Sequence, residues 1–113
     1  MKKSNTDPDA PKHLRKETQK WWNSVIADFE LDPSGIKLLT KCAEAYDRSE
    51  QAREILLKEG LTYLDSKNSP RAHPACAIER DSRIAFCRLL RDLDINDTSP
   101  GDGRPVALRS NRG

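Results

Sequence analysis

The chain has 113 residues, of which 35% are hydrophobic and 5% are aromatic, so it has material for one small domain with a modest core. Its 20 lysine and arginine residues nearly balance its 18 aspartate and glutamate residues, for a formal net charge of +2. This balance argues against a uniformly basic protein that coats nucleic acid without selectivity. The sequence contains neither a long apolar run nor an apolar stretch behind its first lysines, so we expect a cytosolic protein without a membrane span or signal peptide.

Both ends of the chain are poor in core-forming side chains. Residues 1–10 carry no large apolar side chain after Met1, and residues 96–113 are dominated by polar residues, glycine and proline. Such segments bury too little apolar surface to offset the entropy lost on ordering. We therefore predict a flexible arm over residues 1–10, a helical domain over residues 11–95 and a flexible, slightly basic tail over residues 96–113.

The first helical pattern runs from about Pro11 to Phe29, with the proline suited to a first-turn position. Its apolar residues recur on one face. Trp21 and Trp22 are adjacent, so their side chains diverge by about 100° on a helix. One tryptophan is expected to anchor the core, and the other is available to a partner.

The second helical pattern has clear signals at both ends. Asp32 and Pro33 suit the N-cap and the first turn, and the pattern continues from Ser34 to Glu59 before Gly60. At 1.5 Å per residue this helix is about 40 Å long. It is the longest element that the sequence predicts.

The apolar residues of this second helix cover about 200° of its circumference, against roughly 100° for a simple surface helix. We therefore expect packing partners on two of its sides. The rest of its surface is predicted to be polar, with Asp47 among the surface residues and Glu54 paired with Lys58 four positions later.

A β-prone run from Leu61 to Asp65, a turn over Ser66–Pro70 and the segment Arg71–His73 predict a small β-hairpin or extended excursion. Two short strands are marginally stable alone in water. This element should therefore pack on the helices or pair with another chain.

A third helix is predicted from Pro74 to about Leu93, capped at or just before His73. One face is apolar, and the opposite face carries an arginine stripe within about 140°. The candidate DNA-binding residues are the members of this stripe, Arg80, Arg83, Arg88 and Arg91. Ile84 lies among them, so this face suits another subunit as well as a polyanion.

Two further sets of surface candidates follow from the same periodicity. The alternative DNA-binding patch belongs to the first helix and comprises Lys12, Arg15, Lys16 and Lys20. The candidate residues for contacts between copies of the chain are Trp21, Ile36, Leu39, Tyr46, Leu57 and Ile84.

No motif for catalysis, cofactor binding or metal binding is evident. Cys42, Cys76 and Cys87 lack a Cys-x-x-Cys spacing, and we expect all three to be buried or half-buried thiols. His13 and His73 lie on different elements without a ligand pattern. We predict a non-enzymatic protein with no catalytic residue, metal, cofactor or small-molecule substrate.

Several short motifs follow one another in a set order, and together they resemble one family of phage terminase small subunits across nearly the whole chain. No single motif is a signature of a particular chemistry, so the resemblance depends on the presence of all the motifs in the same order along the chain. The motifs are Pro11-Lys12-His13-Leu14, Trp21-Trp22, Ala43-Glu44-Ala45-Tyr46, Glu59-Gly60-Leu61-Thr62-Tyr63, Pro70-Arg71-Ala72-His73-Pro74-Ala75, Glu79-Arg80-Asp81-Ser82-Arg83-Ile84-Ala85-Phe86, and Arg104-Pro105 with Leu108-Arg109-Ser110-Asn111-Arg112.

The resemblance implies a role in viral genome packaging. Members of this family act with a large terminase subunit that carries the ATPase motor and the nuclease. The small subunit assembles into a ring, recognises viral DNA at the packaging start site and modulates the motor. The implied partners are therefore double-stranded viral DNA, the large subunit and further copies of this chain, in the cytoplasm of a bacterial host.

The expected fold is mainly α, with a three-helix core, one long central helix, a short hairpin or excursion between the second and third helices, and disordered termini. Two other functions stay open at the level of sequence. In one, the chain is a helical protein–protein adaptor that does not bind DNA, and the arginine stripe is a solvated face. In the other, the chain is a small enzyme. That function would require an activated nucleophile or a carboxylate cluster, and the sequence shows neither.

Overall fold

The computed structural model describes residues 8–94, which form three helices and one two-stranded sheet. In chain order the elements are α1 (Lys16–Asp28), α2 (Pro33–Glu59), β1 (Thr62–Leu64), β2 (Pro70–Ala72) and α3 (Pro74–Leu93). The predicted mainly helical fold, with a hairpin between the second and third helices, is confirmed. Residues 1–7 of the predicted arm, residue 95 and the predicted tail over 96–113 lie outside the described residues.

Helix α1 begins later than the sequence pattern predicts. The backbone N–H of Leu14 donates to the carbonyl of Pro11 at 3.3 Å, which closes a turn instead of a first helical turn. Arg15 then has an extended backbone as the N-cap residue, and helical geometry starts at Lys16. The prediction of a start at Pro11 was wrong because proline is as well suited to a tight turn as to a first helical turn.

Helix α2 has the predicted limits, set by local interactions. The Asp32 carboxylate accepts a hydrogen bond from the backbone N–H of Gly35 at 2.8 Å, and Pro33 occupies the first turn. At the other end Gly60 has a φ of 91°, a conformation that favours glycine. Its N–H donates to the Leu56 carbonyl at 2.8 Å, so the helix ends where the sequence predicts.

Helix α2 is central because α1 packs against one of its sides and α3 against another. The core cluster draws on α1, α2 and the turn before α1, and its buried members are Leu14, Trp22, Val25, Leu39 and Ala43. The predicted need of α2 for partners on two sides is met, and both partners belong to the same chain. The width of its apolar arc is therefore no argument for a second copy.

The two adjacent tryptophans have different environments. Trp22 is buried in the core, and its indole N–H donates to the Thr40 hydroxyl at 3.2 Å. Trp21 is half-buried and meets the ring of Phe86 on α3 edge to face, with ring centroids 6.4 Å apart. Trp22 is thus the core anchor, and Trp21 joins α1 to α3.

The hairpin is antiparallel, with Tyr63 opposite Arg71 in its central pair. All six of its strand residues are exposed. At its base, the backbone N–H of His73 donates to the Leu61 carbonyl at 2.7 Å. The hairpin therefore extends from the end of the α2–α3 pair without covering a core of its own.

Helix α3 starts at the predicted cap. The His73 Nδ1 accepts a hydrogen bond from the backbone N–H of Ala75 at 3.0 Å, while its Nε2 lies 2.7 Å from Glu59 Oε1. Since Nδ1 acts as an acceptor, Nε2 carries the hydrogen and donates it to Glu59. One imidazole thus caps α3 and ties it to the last turn of α2.

Candidate functional site

The predicted arginine stripe lies on the exposed side of α3, where the structure places all four of its members at the surface: Arg80, Arg83, Arg88 and Arg91. Two of them are engaged by acidic neighbours on the same helix. Arg83 Nε donates to Glu79 Oε2 at 2.9 Å, and Arg80 Nε donates to Asp81 Oδ1 at 3.2 Å. The hydrogen bond to Glu79 and the charge of that carboxylate raise the pKa of the Arg83 guanidinium.

Arg88 and Arg91 differ from the other two members of the stripe. Within residues 8–94 neither makes an ion pair or a side-chain hydrogen bond. They are three positions apart and therefore neighbours on one helix face. Their guanidinium donors are available for phosphate oxygens, which such groups bind in a bidentate geometry.

The alternative patch divides into lysines and one arginine. Lys12, Lys16 and Lys20 are exposed, and none makes an ion pair in the part of the chain that the structure describes. Lys12 and Lys16 also line an open polar groove beside α1, together with Asn23. These three lysines form a second set of cations available to a polyanion.

Arg15 does not belong to that set, because its side chain turns towards α2. Its Nη2 donates to Glu54 Oε2 at 2.8 Å, and the side chain is only 34% exposed. The hydrogen bond to Glu54 raises the pKa of Arg15 although partial burial opposes the shift. Glu54 therefore pairs with Arg15, and the predicted pairing with Lys58 is wrong.

Asp47 is buried, whereas the sequence pattern placed it on the polar surface of the helix. Its Oδ2 accepts the backbone N–H of Arg15 at 2.8 Å, and its Oδ1 accepts the hydroxyl of Thr18. Arg15 is the N-cap residue of α1 and has no side-chain cap of its own. A carboxylate of α2 thus accepts a backbone N–H at the start of α1 that would otherwise lack an acceptor. It also lies at the N-terminus of α1, the positive end of that helix's dipole.

An open aromatic pocket of about 230 Å³ lies where the three helices meet. The ring centroids of Tyr46 and Phe86 are 5.2 Å apart, and Tyr46 is 36% exposed. We call the set of lining residues the aromatic pocket: Glu17, Thr18, Trp21, Tyr46 and Phe86. The sequence pattern marked Trp21 and Tyr46 as candidates for contacts between copies but did not bring them together with Phe86.

The six candidates for contacts between copies do not form one surface. Leu39 is completely buried in the core of this chain and is unavailable to a second copy, so its assignment was wrong. Trp21 and Ile36 are half-buried and pack against the same core. Tyr46, Leu57 and Ile84 are exposed, on α2 and α3.

Exposed apolar side chains concentrate near the hairpin. Leu57 in the last turn of α2 is 74% exposed, Leu61 is 64% exposed and Leu64 on β1 is 62% exposed. We call these residues, together with the exposed Tyr63, the hairpin end. Single exposed apolar residues are common, and these four lie close together in the chain, with Tyr63 and Leu64 on opposite faces of β1.

The cysteines and histidines have separate environments. Cys42 is buried, Cys76 is half-buried and Cys87 is exposed, so the expectation of a buried or half-buried thiol is wrong for Cys87. His13 Nε2 lies 2.9 Å from Glu44 Oε2 at the surface. Residues 8–94 contain no group of three or more histidine, cysteine or acidic side chains placed to hold a metal ion.

None of the helices between residues 8 and 94 combines the length and the apolar content needed to cross a bilayer. No protein-family model, curated protein or solved structure matches this chain.

Proposed function

We propose that this chain is the small subunit of a phage terminase. In this role it is an oligomeric, non-catalytic component that binds double-stranded viral DNA at the packaging start site and modulates the ATPase and nuclease of the large subunit. The observation that carries the DNA-binding part is a set of exposed cations without ion pairs among residues 8–94: Lys12, Lys16, Lys20, Arg88 and Arg91. The ordered motifs supply the packaging context, the large subunit as partner and the cytoplasm of a bacterial host.

Cations that lack an acidic partner gain the most binding free energy from contact with a phosphate group. An arginine already paired with a carboxylate, such as Arg83 with Glu79, must give up that contact before it binds DNA. Arg88 and Arg91 have no such contact to break within the described residues. We therefore place the main DNA contact at Arg88 and Arg91, the C-terminal half of the stripe. Lys12, Lys16 and Lys20 form the alternative DNA-binding site.

The near-neutral charge of one chain is compatible with DNA binding if several copies act together. A few phosphate contacts per copy give weak affinity, but linked copies bind at a high effective concentration after the first contact. Each neutralised phosphate releases counterions, so the affinity of such an assembly falls steeply with salt.

The proposal is tested by measuring the mass of the native assembly and its DNA binding. Native mass spectrometry at micromolar concentration is expected to give a multiple of the 12.8 kDa chain mass. Fluorescence anisotropy would compare a phage-end duplex with a random duplex of equal length at about 50 and 200 mM salt. We expect tighter binding to the phage-end duplex and a steep loss of affinity with salt.

A protein–protein adaptor is the second candidate, favoured by the engagement of Arg80 and Arg83 with acidic neighbours. An adaptor would form complexes with protein partners without binding either duplex at low salt. A stable monomer that binds no DNA would contradict the terminase proposal.

A further inference from the structure

We propose that His73 is a proton-sensitive joint between the hairpin and the α2–α3 pair. In its neutral form the imidazole holds the first turn of α3 and the last turn of α2 together. Its protonation releases the first turn of α3 and loosens the base of the hairpin. This property of the fold is independent of the proposed function, because none of the residues involved is among the cations that we place at DNA.

The contacts of His73 reach three different elements. Its backbone N–H donates to the carbonyl of Leu61, just before β1, at 2.7 Å. Its Nδ1 accepts the backbone N–H of Ala75 in the first turn of α3 at 3.0 Å, and its Nε2 donates to Glu59 Oε1 in the last turn of α2 at 2.7 Å. The side chain is only 16% exposed, so the ring is confined between these elements.

The start of α3 depends on this one residue. Pro74 has no N–H, so Ala75 carries the first N–H of the helix, and its acceptor is the imidazole. The next N–H, that of Cys76, donates to the backbone carbonyl of His73 at 2.9 Å. The first two backbone donors of α3 are therefore both satisfied by His73.

A histidine cap differs from the usual Ser, Thr, Asp or Asn cap because its acceptor is lost near neutral pH. An imidazole changes its charge between about pH 5 and 8, and only the neutral form has a nitrogen that accepts a hydrogen bond. A proton on Nδ1 turns the acceptor into a donor that faces the N–H of Ala75. The new charge also lies at the positive end of the α3 dipole, and the first turn of α3 has no acidic side chain to offset it.

Glu59 acts in the opposite direction, because its carboxylate attracts the charged ring. Among residues 8–94 it is the one charged side chain within ion-pair distance of the imidazole. Glu59 is 56% exposed, so solvent screens this attraction. Nε2 donates to Glu59 in both charge states, so this contact does not replace the acceptor that Ala75 loses.

The other titratable groups near the joint do not change charge together with the imidazole. Arg71, two positions before His73, pairs with Asp65 at 2.9 Å between Nε and Oδ2. The hydrogen bonds that lower the pKa of Asp65 keep its carboxylate ionised above about pH 5. The thiol of Cys76, in the first turn of α3, donates to the Leu61 carbonyl at 3.6 Å. A response between about pH 5.5 and 7.5 therefore reports the imidazole.

The joint determines how firmly the hairpin is held. The hairpin and its base carry three of the four residues of the hairpin end, Leu61, Tyr63 and Leu64. With a neutral ring these side chains have a fixed orientation relative to α2 and α3, and with a charged ring fewer contacts hold them. Proton uptake at one buried side chain thus changes the presentation of an exposed apolar surface.

The test is an NMR titration of the full chain between about pH 7.5 and 5.5, within the range in which an imidazole changes its charge. We expect the amide signals of Ala75 and Cys76 to shift with the same midpoint as the ring signals of His73. The protection factor of the Ala75 amide, corrected for the intrinsic pH dependence of exchange, should fall about fivefold, as expected for the loss of one hydrogen bond. The amide of His73 at the base of the hairpin should lose protection as well.

Three variants separate the cap from other effects of pH. His73→Asn supplies a side-chain cap that does not titrate, so the Ala75 amide should keep its protection over the whole range. Glu59→Gln keeps an acceptor for Nε2 and removes the charge, so the midpoints of ring and amide should move together to lower pH by about half a unit. His13→Asn is the matched control, because His13 lies 2.9 Å from Glu44 without capping a helix, and it should leave the Ala75 response unchanged.

An Ala75 amide that keeps its shift and its protection while the His73 ring titrates would overturn the joint, since a cap with a purely structural role does not respond to pH. A response that persists in His73→Asn, or that disappears in His13→Asn, would overturn it too. If His73→Asn does not fold, as judged by its circular dichroism spectrum, the unmodified chain and Glu59→Gln decide by themselves. Separate midpoints for the ring and the Ala75 amide in either protein contradict the joint, and shared midpoints support it.

Discussion

The carboxylate of Asp47, in the middle of α2, accepts the backbone N–H of Arg15 at 2.8 Å and so caps α1 from a neighbouring helix. The same carboxylate accepts the hydroxyl of Thr18 in the first turn of α1. The side chain of Arg15 in turn reaches Glu54, about two turns after Asp47 along α2. These contacts fix where α1 begins and which part of α2 it covers.

We expect Asp47→Ala to destabilise the fold by about 2 kcal/mol, because it leaves the partly buried N–H of Arg15 and the buried hydroxyl of Thr18 without their acceptor. In a domain of this size that loss lowers the melting temperature by roughly 10 °C. Urea denaturation should show a lower midpoint with an unchanged slope. Gln51→Ala, an exposed site on the same helix, is the control and should change stability by less than about 0.5 kcal/mol.

We expect the double variant Arg88→Glu/Arg91→Glu to weaken binding to phage-end DNA at least tenfold while leaving assembly intact. If each arginine contacts one phosphate, the slope of log affinity against log salt falls by about 2. Arg80→Glu is the matched control, because Arg80 already pairs with Asp81, and its effect should be smaller. Unchanged affinity in the double variant would move the DNA site to Lys12, Lys16 and Lys20.

We expect the three thiols to react with N-ethylmaleimide in the order of their exposure. Burial raises the pKa of the Cys42 thiol to about 12, so at pH 8 its thiolate fraction is on the order of a thousandfold below that of an ordinary exposed thiol. Mass spectrometry of labelled protein should show fast modification of exposed Cys87 and modification of Cys42 only on unfolding. Cys87→Ser should remove the fast phase, and rapid labelling of Cys42 in the folded protein would contradict its burial.

We expect the hairpin to depend on ionised Asp65. Hydrogen bonds from the backbone of Ser69, the side chain of Arg71 and the backbone of Lys67 lower the pKa of this carboxyl below its ordinary value of 3.8. A lowered pKa means that the stabilisation is complete above about pH 4 and is lost as the pH falls through the folded-state value.

Asp65→Asn should therefore loosen the turn at neutral pH. The amide protons of the hairpin are expected to exchange faster in NMR experiments, with the helices unaffected. Ser66→Ala, in the same turn, is the control. Hairpin exchange that is the same in Asp65→Asn and in the unmodified chain would rule out this role of the carboxylate.

Local interactions made much of the fold predictable from the amino-acid sequence. The start of α2 depends on Asp32 and Pro33, its end on Gly60, and the start of α3 on His73 and Pro74, all within a few residues of the helix ends. Such caps act through neighbouring backbone groups, so their signals are visible in a short window. The alternation of apolar and basic positions likewise predicted the exposed arginine side of α3.

The features that the sequence did not predict depend on packing between residues far apart in the chain. Periodicity shows that α2 has two apolar sides, but only the tertiary structure shows that α1 and α3 of the same chain cover them. It also buries Leu39 and Asp47, pairs Glu54 with Arg15 and gathers Trp21, Tyr46 and Phe86 into one pocket. These contacts join residues far apart in the chain, and a helical pattern specifies which residues share a face without specifying what that face meets.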